Sequence, residues 1–178
     1  FEEPALQRHL DSVTTRIVPG DAAAHVPFHT LVIRSPDTNA YALPNGALCV
    51  DAGLLADLED EAQLAHVLAH EVHHVVARDA LSAARDRADK RVVAKLAGIV
   101  LAPTVFADPA IGGLYAASVA GYGREQEEAA DREALHLVAG AGYPLASVPH
   151  LFAILEANAP IAQGGSPYSD HPSAAARA

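Results

Sequence analysis

The chain has 178 residues, which is enough for one domain with a sizeable hydrophobic core and too few for two domains of ordinary size. Its 22 acidic residues against 12 Lys and Arg give a net charge of −10, and the basic residues do not cluster. This charge argues against nucleic acid and anionic lipid surfaces as main partners. The single cysteine, Cys49, excludes an internal disulfide framework. The 10 His are many for this length and prompt a search for a metal site.

The first third of the chain predicts one helix and three short strands. Between residues 6 and 17, apolar side chains recur at spacings of three and four, which is typical of an amphipathic helix. Residues 28–34 form a β-rich run that we interpret as a strand. Residues 41–43 and 47–51 predict two further extended segments around the turn at residues 44–46. On the last of these strands, we expect Cys49 to be a small buried hydrophobe.

Three further regions predict helices. Residues 58–89 are rich in alanine and free of Gly and Pro, so they form one long helix or two consecutive ones, with Asp57 or Asp60 as N-cap. Residues 123–139 predict a second helix, which Gly and Pro residues terminate. Residues 145–158 predict a third.

A nearly uncharged segment lies between these helical regions, at residues 92–122. Pro and Gly residues interrupt it, and neither half reaches about 18 uninterrupted apolar residues. We therefore expect buried helices here and no transmembrane span, with a membrane-facing hairpin as the alternative.

The long helix contains the sequence His-Glu-x-x-His. His70 and His74 lie one turn apart on the same helix face, so both imidazoles can reach one zinc ion. Glu71 is rotated by about 100° from His70, which puts its carboxylate beside the metal. A water molecule bound to the zinc and deprotonated by Glu71 would attack a peptide carbonyl. The alternative is a helix surface in a His-rich chain.

A zinc site of this kind needs a third protein ligand from another element and one open position for water. The second helix offers several acidic residues: Glu125, Glu127, Glu128, Asp131 and Glu133. A solvated acidic face explains most of them. Glu127 and Asp131, however, are an i, i+4 pair on one face, and Ala130 beside them would let two helices approach closely. Glu127 could then bind zinc while Asp131 accepts the other ring N–H of a ligand histidine.

Four segments, in order, resemble motifs of the HtpX-like and BepA-like zinc metallopeptidases, which are relatives of the CAAX prenyl proteases and of Oma-type proteases. The segment 124–131 is similar to the family's Arg-x-x-Glu-x-x-Ala-Asp element. The others are residues 39–46 with 53–55, residues 141–144, and residues 171–173 with Arg177. The resemblance runs from about residue 25 to the end of the chain.

The resemblance implies a single zinc metallopeptidase domain over residues 1–178. Its expected fold is α+β and mainly helical, of the gluzincin type, with a small sheet and an active-site helix. His70, His74 and Glu127 would hold one Zn²⁺ per chain, Glu71 would be the general base, and Asp131 would support a ligand histidine. The substrates would be polypeptides.

The resemblance also implies an edge strand that binds substrate. An extended peptide would pair its backbone with the chain at Asn39, Ala40, Tyr41 and Ala42, and such pairing needs no particular side chain. We therefore expect broad peptide specificity.

The chain departs from the family pattern at two places. His73 stands where a small residue is usual, and we expect it to be exposed and not a ligand. Arg78-Asp79 stands where many relatives have Arg-His, and we expect neither residue to touch the ligand set. His66 lies one turn before His70, where it could approach the site, although a packed core histidine is the simpler interpretation.

The tail carries further candidate residues. His171 is either an ordinary loop residue or, as in BepA-like relatives, a fourth ligand that keeps the enzyme latent; the nearby Gly164-Gly165 would let such a loop move. A donor for the developing oxyanion is also needed. Arg177, Tyr168 and His171 are the candidates, with Arg177 favoured because the family motif includes it.

These observations predict a zinc-dependent endopeptidase that acts on unfolded or envelope proteins. The alternative is a zinc-binding chaperone or assembly factor with little peptidase activity, and Glu71 favours the enzyme because zinc retention alone does not require it. A purely structural helical module is a third hypothesis. Since the chain begins at Phe1 and contains no Met, we expect that an export signal or lipoprotein leader has been lost. This would place the protein outside the cytoplasm, in the periplasm, where the missing N-terminal segment could carry a lipid anchor that associates it with a membrane.

Overall fold

The computed structural model describes residues 3–79 and 122–158. His171, Arg177 and Tyr168 lie outside the described residues, as does the apolar segment up to residue 121. In the described part the fold is mainly helical with one small sheet, as predicted. No helix among the described residues has both the length and the apolar character to cross a membrane.

The described part of the chain contains these helices and strands in order. They are α1 (Pro4–Ile17), α2 (Gly20–Ala23), β1 (His29–Ile33), β2 (Ala40–Ala42), β3 (Ala47–Asp51), α3 (Ala52–Asp57), α4 (Glu61–Val76), α5 (Arg124–Gly140) and α6 (Val148–Ala157).

The three strands form one sheet in the order β1-β3-β2. β3 pairs in parallel with β1 and antiparallel with β2, so β2 is an edge strand. Gly46 adopts a φ of 92° in the turn between β2 and β3, a conformation that costs glycine little because it has no Cβ. Each residue of β3 is buried, which is expected for a central strand covered on both faces.

Helix α4 packs against α1, α5, α6 and the edge strand β2. Almost all of its residues are buried. Its close approach to α5 depends on small side chains, since Ala65 and Ala69 of α4 and Ala130 and Ala134 of α5 are completely buried. The predicted role of Ala130 as a close-contact residue agrees with this packing.

The sequence predicts one long helix or two consecutive ones over residues 58–89; α4 covers Glu61–Val76 of this range, and residues 80–89 lie outside the described residues. The carboxylate of Asp60 accepts a hydrogen bond from the Gln63 backbone N–H at 2.8 Å. Asp60 is thus the N-cap, and α4 starts at the next residue, Glu61. It ends at Val76, and Arg78 follows in the left-handed region with a φ of 58°. The short helix α3 precedes α4. Helix α6 also begins three residues later than expected, at Val148.

Candidate active site

The two histidines of the His-Glu-x-x-His sequence face each other on α4. His70 and His74 are both buried, and their Nε2 atoms lie 3.0 Å apart. One helical turn separates the residues, so both side chains leave the helix on the face that packs against α5.

The side chain of Glu127, on α5, lies beside the two imidazoles. It is 0% exposed, and its carboxylate oxygens lie 3.4 Å from Nε2 of His70 and 3.6 Å from Nε2 of His74. The three ligand atoms all lie within 4.8 Å of one another. A tetrahedral zinc with ligands at about 2.0–2.1 Å holds them about 3.3 Å apart. The donor set therefore fits zinc in both chemistry and spacing.

A carboxylate holds the other ring nitrogen of each histidine. Nδ1 of His70 is 3.0 Å from Asp131 Oδ1, and Nδ1 of His74 is 2.8 Å from Asp79 Oδ2. A carboxylate only accepts, so each Nδ1–H donates, which leaves both Nε2 atoms facing Glu127. If both rings were neutral, two lone pairs would face each other across 3.0 Å, so the pair requires a cation between the rings, either a proton or a metal ion.

The electrostatics of the pair favour one positive charge. Burial lowers the pKa of His70, but hydrogen bonds to Asp131 and Glu127 and the nearby charge of Glu71 outweigh it and raise the pKa to about 9. Burial lowers the pKa of His74 below its ordinary value, despite its hydrogen bond to Asp79. A proton on His70 thus supplies one positive charge in the metal-free protein.

Glu71 is buried beside the pair. It lines a narrow cleft together with His70 and Asp131. Its position next to His70 in sequence brings its carboxylate near the two imidazoles without making it part of the three-atom donor set.

Asp79 corrects the sequence analysis, which expected it not to touch the ligand set. Its Oδ2 accepts from His74, and its Oδ1 accepts from the Gln126 side-chain amide at 2.8 Å. In a continuous helix, a residue five positions after His74 would lie about 140° away around the axis. Because α4 ends at Val76 and Arg78 is left-handed, the chain turns back and Asp79 reaches His74.

The remaining histidines near the site differ from one another. His66 is buried with its ring edge-on to Phe152, at 5.7 Å between ring centroids, as a packed core histidine would be. His73 is only partly exposed, which corrects the expectation of an exposed residue. Its ring centroid lies 6.1 Å from that of His74, and burial lowers its pKa. It does not belong to the three-residue donor set.

The predicted substrate strand is the edge strand β2 with Asn39 just before it. Leu43 N–H donates to the Ala47 carbonyl, and Asp51 N–H donates to the Asn39 carbonyl. The N–H and C=O groups of successive residues point to alternate sides of a strand. The backbone groups of Asn39 and Tyr41 therefore point toward β3, and those of Ala40 and Ala42 point toward the outer edge.

A cavity of about 150 Å³ lies between this edge strand and the C-terminal end of α4, with Tyr122 beside it. It borders His74, and its walls are largely apolar. The lining residues are Val26, Ala42, Pro44, His74, Val75, Arg78 and Tyr122.

Comparisons with known proteins identify the family of the chain. The chain matches the model of peptidase family M48 over residues 4–178. It is 30% identical over 160 residues to the putative beta-barrel assembly-enhancing protease of Vibrio cholerae, covering 85% of this chain and 33% of that protein. It is 28% identical over 160 residues to the beta-barrel assembly-enhancing protease of Escherichia coli, covering 84% and 32%.

A mitochondrial relative matches a shorter stretch. The metalloendopeptidase OMA1 of Bos taurus is 34% identical over 90 residues, covering 51% of this chain and 16% of that protein. The chain spans about a third of the length of the two bacterial relatives. The resemblance to BepA-like and Oma-type metallopeptidases is confirmed, and the chain belongs to peptidase family M48, a family of zinc metalloproteases.

Proposed function

We propose that this chain is a zinc-dependent endopeptidase domain of the gluzincin type. His70, His74 and Glu127 hold one Zn²⁺ per chain. One observation carries the proposal: three buried donor atoms from two helices converge at the spacing of a tetrahedral metal site. The negative Glu127 supplies the charge that makes the site select a cation.

Bound zinc would supply a Lewis acid that acidifies a water molecule and polarises the peptide carbonyl. Glu71 acts as general base: its carboxylate accepts the proton of the attacking water and passes it to the leaving amine. Asp131 accepts the Nδ1–H of His70, which fixes the tautomer that leaves Nε2 available for the metal. Arg177 and Tyr168 are the candidates to stabilise the oxyanion.

The substrate pairs with the edge strand in this proposal. Of the four residues Asn39, Ala40, Tyr41 and Ala42, only Ala40 and Ala42 turn their backbone groups toward an incoming strand. Both are 3% exposed, so the edge must be uncovered before a peptide can pair with it. The cavity beside His74 would then take one apolar substrate side chain, since its volume is comparable to that of a benzene-binding cavity.

Latency is part of the proposal. The buried donor set and the covered edge strand support a resting state in which substrate cannot reach the site. His171 would hold this state by taking the open metal position. In that case His171→Ala raises the rate of cleavage. Unchanged activity of the variant would contradict a role of His171 in latency.

The biological setting is proposed from the relatives. Two of them are named as proteases that enhance beta-barrel assembly. We infer that this chain also acts on unfolded or envelope proteins outside the cytoplasm, as one metallopeptidase domain over residues 1–178.

The test compares the wild-type chain with Glu71→Gln, which keeps the size of the side chain and removes the base. We expect one equivalent of zinc in both proteins, and casein cleavage reduced by about 10²- to 10⁴-fold in the variant. His136→Gln, at an exposed position on α5, is the matched control and should cleave like wild type. Bound zinc without Glu71-dependent cleavage, also in the His171→Ala background, would favour a zinc-binding chaperone or assembly factor. Absence of zinc would favour a structural module.

A further inference from the structure

We propose that Asp79 is a positioning residue that fixes the tautomer and direction of the His74 imidazole, and that Gln126 holds it in place. The proposal rests on the zinc site proposed above and adds a connection between its two helices. Asp79 follows α4, whereas Gln126 lies in the first turn of α5, directly before Glu127.

The backbone turn after α4 is the first observation. Ala77 N–H donates to the His73 carbonyl and Arg78 N–H donates to the Val75 carbonyl, which closes the end of the helix. Arg78 then adopts a φ of 58°, a left-handed conformation that is unfavourable for a residue with a Cβ. This turn directs the Asp79 side chain back onto His74.

The hydrogen bonds of Asp79 are the second observation. Both carboxylate oxygens accept: Oδ2 from His74 Nδ1–H and Oδ1 from the Gln126 amide, each at 2.8 Å. The carboxylate is buried, and although burial raises the pKa of Asp79, these two hydrogen bonds lower it below its ordinary value. Because both oxygens of the carboxylate are acceptors, the hydrogen of the neutral His74 ring lies on Nδ1, and Nε2 carries no hydrogen.

Gln126 connects Asp79 to the start of α5 through two hydrogen bonds. Its Oε1 accepts from the Gly123 backbone N–H at 2.9 Å and so caps the start of α5, while its Nε2 holds Asp79. A line of hydrogen bonds therefore runs from the N-terminus of α5 through Gln126 and Asp79 to His74. The position of one ligand histidine is thereby fixed relative to the helix that carries the third donor.

The test uses Asp79→Asn in the whole 178-residue chain, because an asparagine presents one acceptor and one donor where the site needs two acceptors. Zinc affinity is measured by competition with a chromophoric chelator. The His74 tautomer is read in the zinc-free protein from the ¹⁵N shifts of its imidazole. Glu128→Gln is the matched control, because it removes the exposed carboxylate that pairs with Arg124 on the same turn of α5.

We expect Asp79→Asn to weaken zinc binding by about 10- to 100-fold and to shift His74 away from the Nδ1–H tautomer, with Glu128→Gln unchanged in both respects. A mere loss of packing would not move the tautomer. Wild-type affinity together with an unchanged tautomer in Asp79→Asn would overturn the proposal. If even the wild type binds no zinc, the zinc site fails, and the tautomer comparison still decides the role of Asp79.

A second variant keeps the test decisive if Asp79→Asn does not fold. Gln126→Met keeps the side-chain length and removes the donor to Asp79, and we expect about 2- to 10-fold weaker zinc binding. The same substitution in an Asp79→Asn background should have no further effect on zinc affinity, because Gln126 acts through Asp79. A Gln126→Met protein with wild-type zinc affinity and wild-type tautomer would contradict the connection.

Discussion

His70 and His74 have the same kind of support from opposite directions. Each donates Nδ1–H to an aspartate, at 3.0 Å for His70 and 2.8 Å for His74. The partner of His70 is Asp131, which comes from the neighbouring helix α5, whereas the partner of His74 is Asp79, which comes from the turn that ends its own helix. One half of the site therefore depends on helix packing and the other on a backbone turn.

The difference extends to the charge of the two rings. Burial lowers the pKa of both, but the carboxylates of Asp131 and Glu127 raise that of His70 to about 9, while that of His74 stays below its ordinary value. A carboxylate partner alone therefore does not set the charge of a buried imidazole. Its function at His74 is orientation, which is what metal binding requires.

Removing both supports at once should have the largest effect. If the two sides act independently, Asp79→Asn combined with Asp131→Asn weakens zinc binding by roughly 10²- to 10⁴-fold, the product of two losses of about 10- to 100-fold. Competition titration with a chelator measures it. A double variant no weaker than either single variant would mean that only one side supports the metal.

A third buried aspartate, Asp51, shows how burial changes the pKa of a carboxyl group when the hydrogen-bond partner is a serine instead of a histidine. It is 5% exposed at the end of β3, and burial raises its pKa to about 6, against a smaller lowering by a hydrogen bond from Ser35. Because the folded-state pKa lies above the unfolded value, the stabilisation from its protonated form is complete near pH 4 and is lost as the pH rises through about 6.

Asp51→Asn should therefore raise the free energy of unfolding relative to wild type at pH 7, by an amount on the order of 2 kcal/mol, and should have little effect near pH 4. Denaturant unfolding at both pH values measures the difference. A destabilised variant at pH 7 would show that ionised Asp51 contributes favourable contacts that outweigh its burial.

Arg78 offers the smallest and most local change. Arg78→Val puts a β-branched residue at a φ of 58° and should destabilise the fold by about 1–2 kcal/mol and weaken zinc binding through the Asp79 side. Arg78→Gly, which suits a positive φ, is the control and should keep both properties within a few tenths of a kcal/mol. Equal stability of the two variants would argue against strain at this turn.

Much of the candidate site could be predicted from spacing alone. His70 and His74, and likewise Glu127 and Asp131, are i, i+4 pairs, and a helix brings such pairs to one face regardless of the rest of the fold. Asp79 could not be found this way, because its contact depends on a left-handed turn at an arginine, where glycine or asparagine is the usual signal.

The strands show the same limit. Turn residues and β-rich runs located β1, β2 and β3, yet the order β1-β3-β2 was not predicted. Sequence patterns locate neighbouring strands joined by a tight turn, such as β2 and β3, because the turn itself is local. The parallel pairing of β1 with β3 depends on contacts between distant segments, including the packing of α1 on β1.

X-ray absorption at the zinc edge, on the chain loaded with one equivalent of zinc, shows directly whether His70, His74 and Glu127 hold the metal. We expect a four-coordinate site with two imidazole nitrogens and oxygen ligands at about 2.0–2.2 Å, lost in Glu127→Gln and kept in Glu128→Gln. A zinc–sulfur distance of about 2.3 Å, which only Cys49 could supply in this chain, or an all-oxygen shell would contradict it.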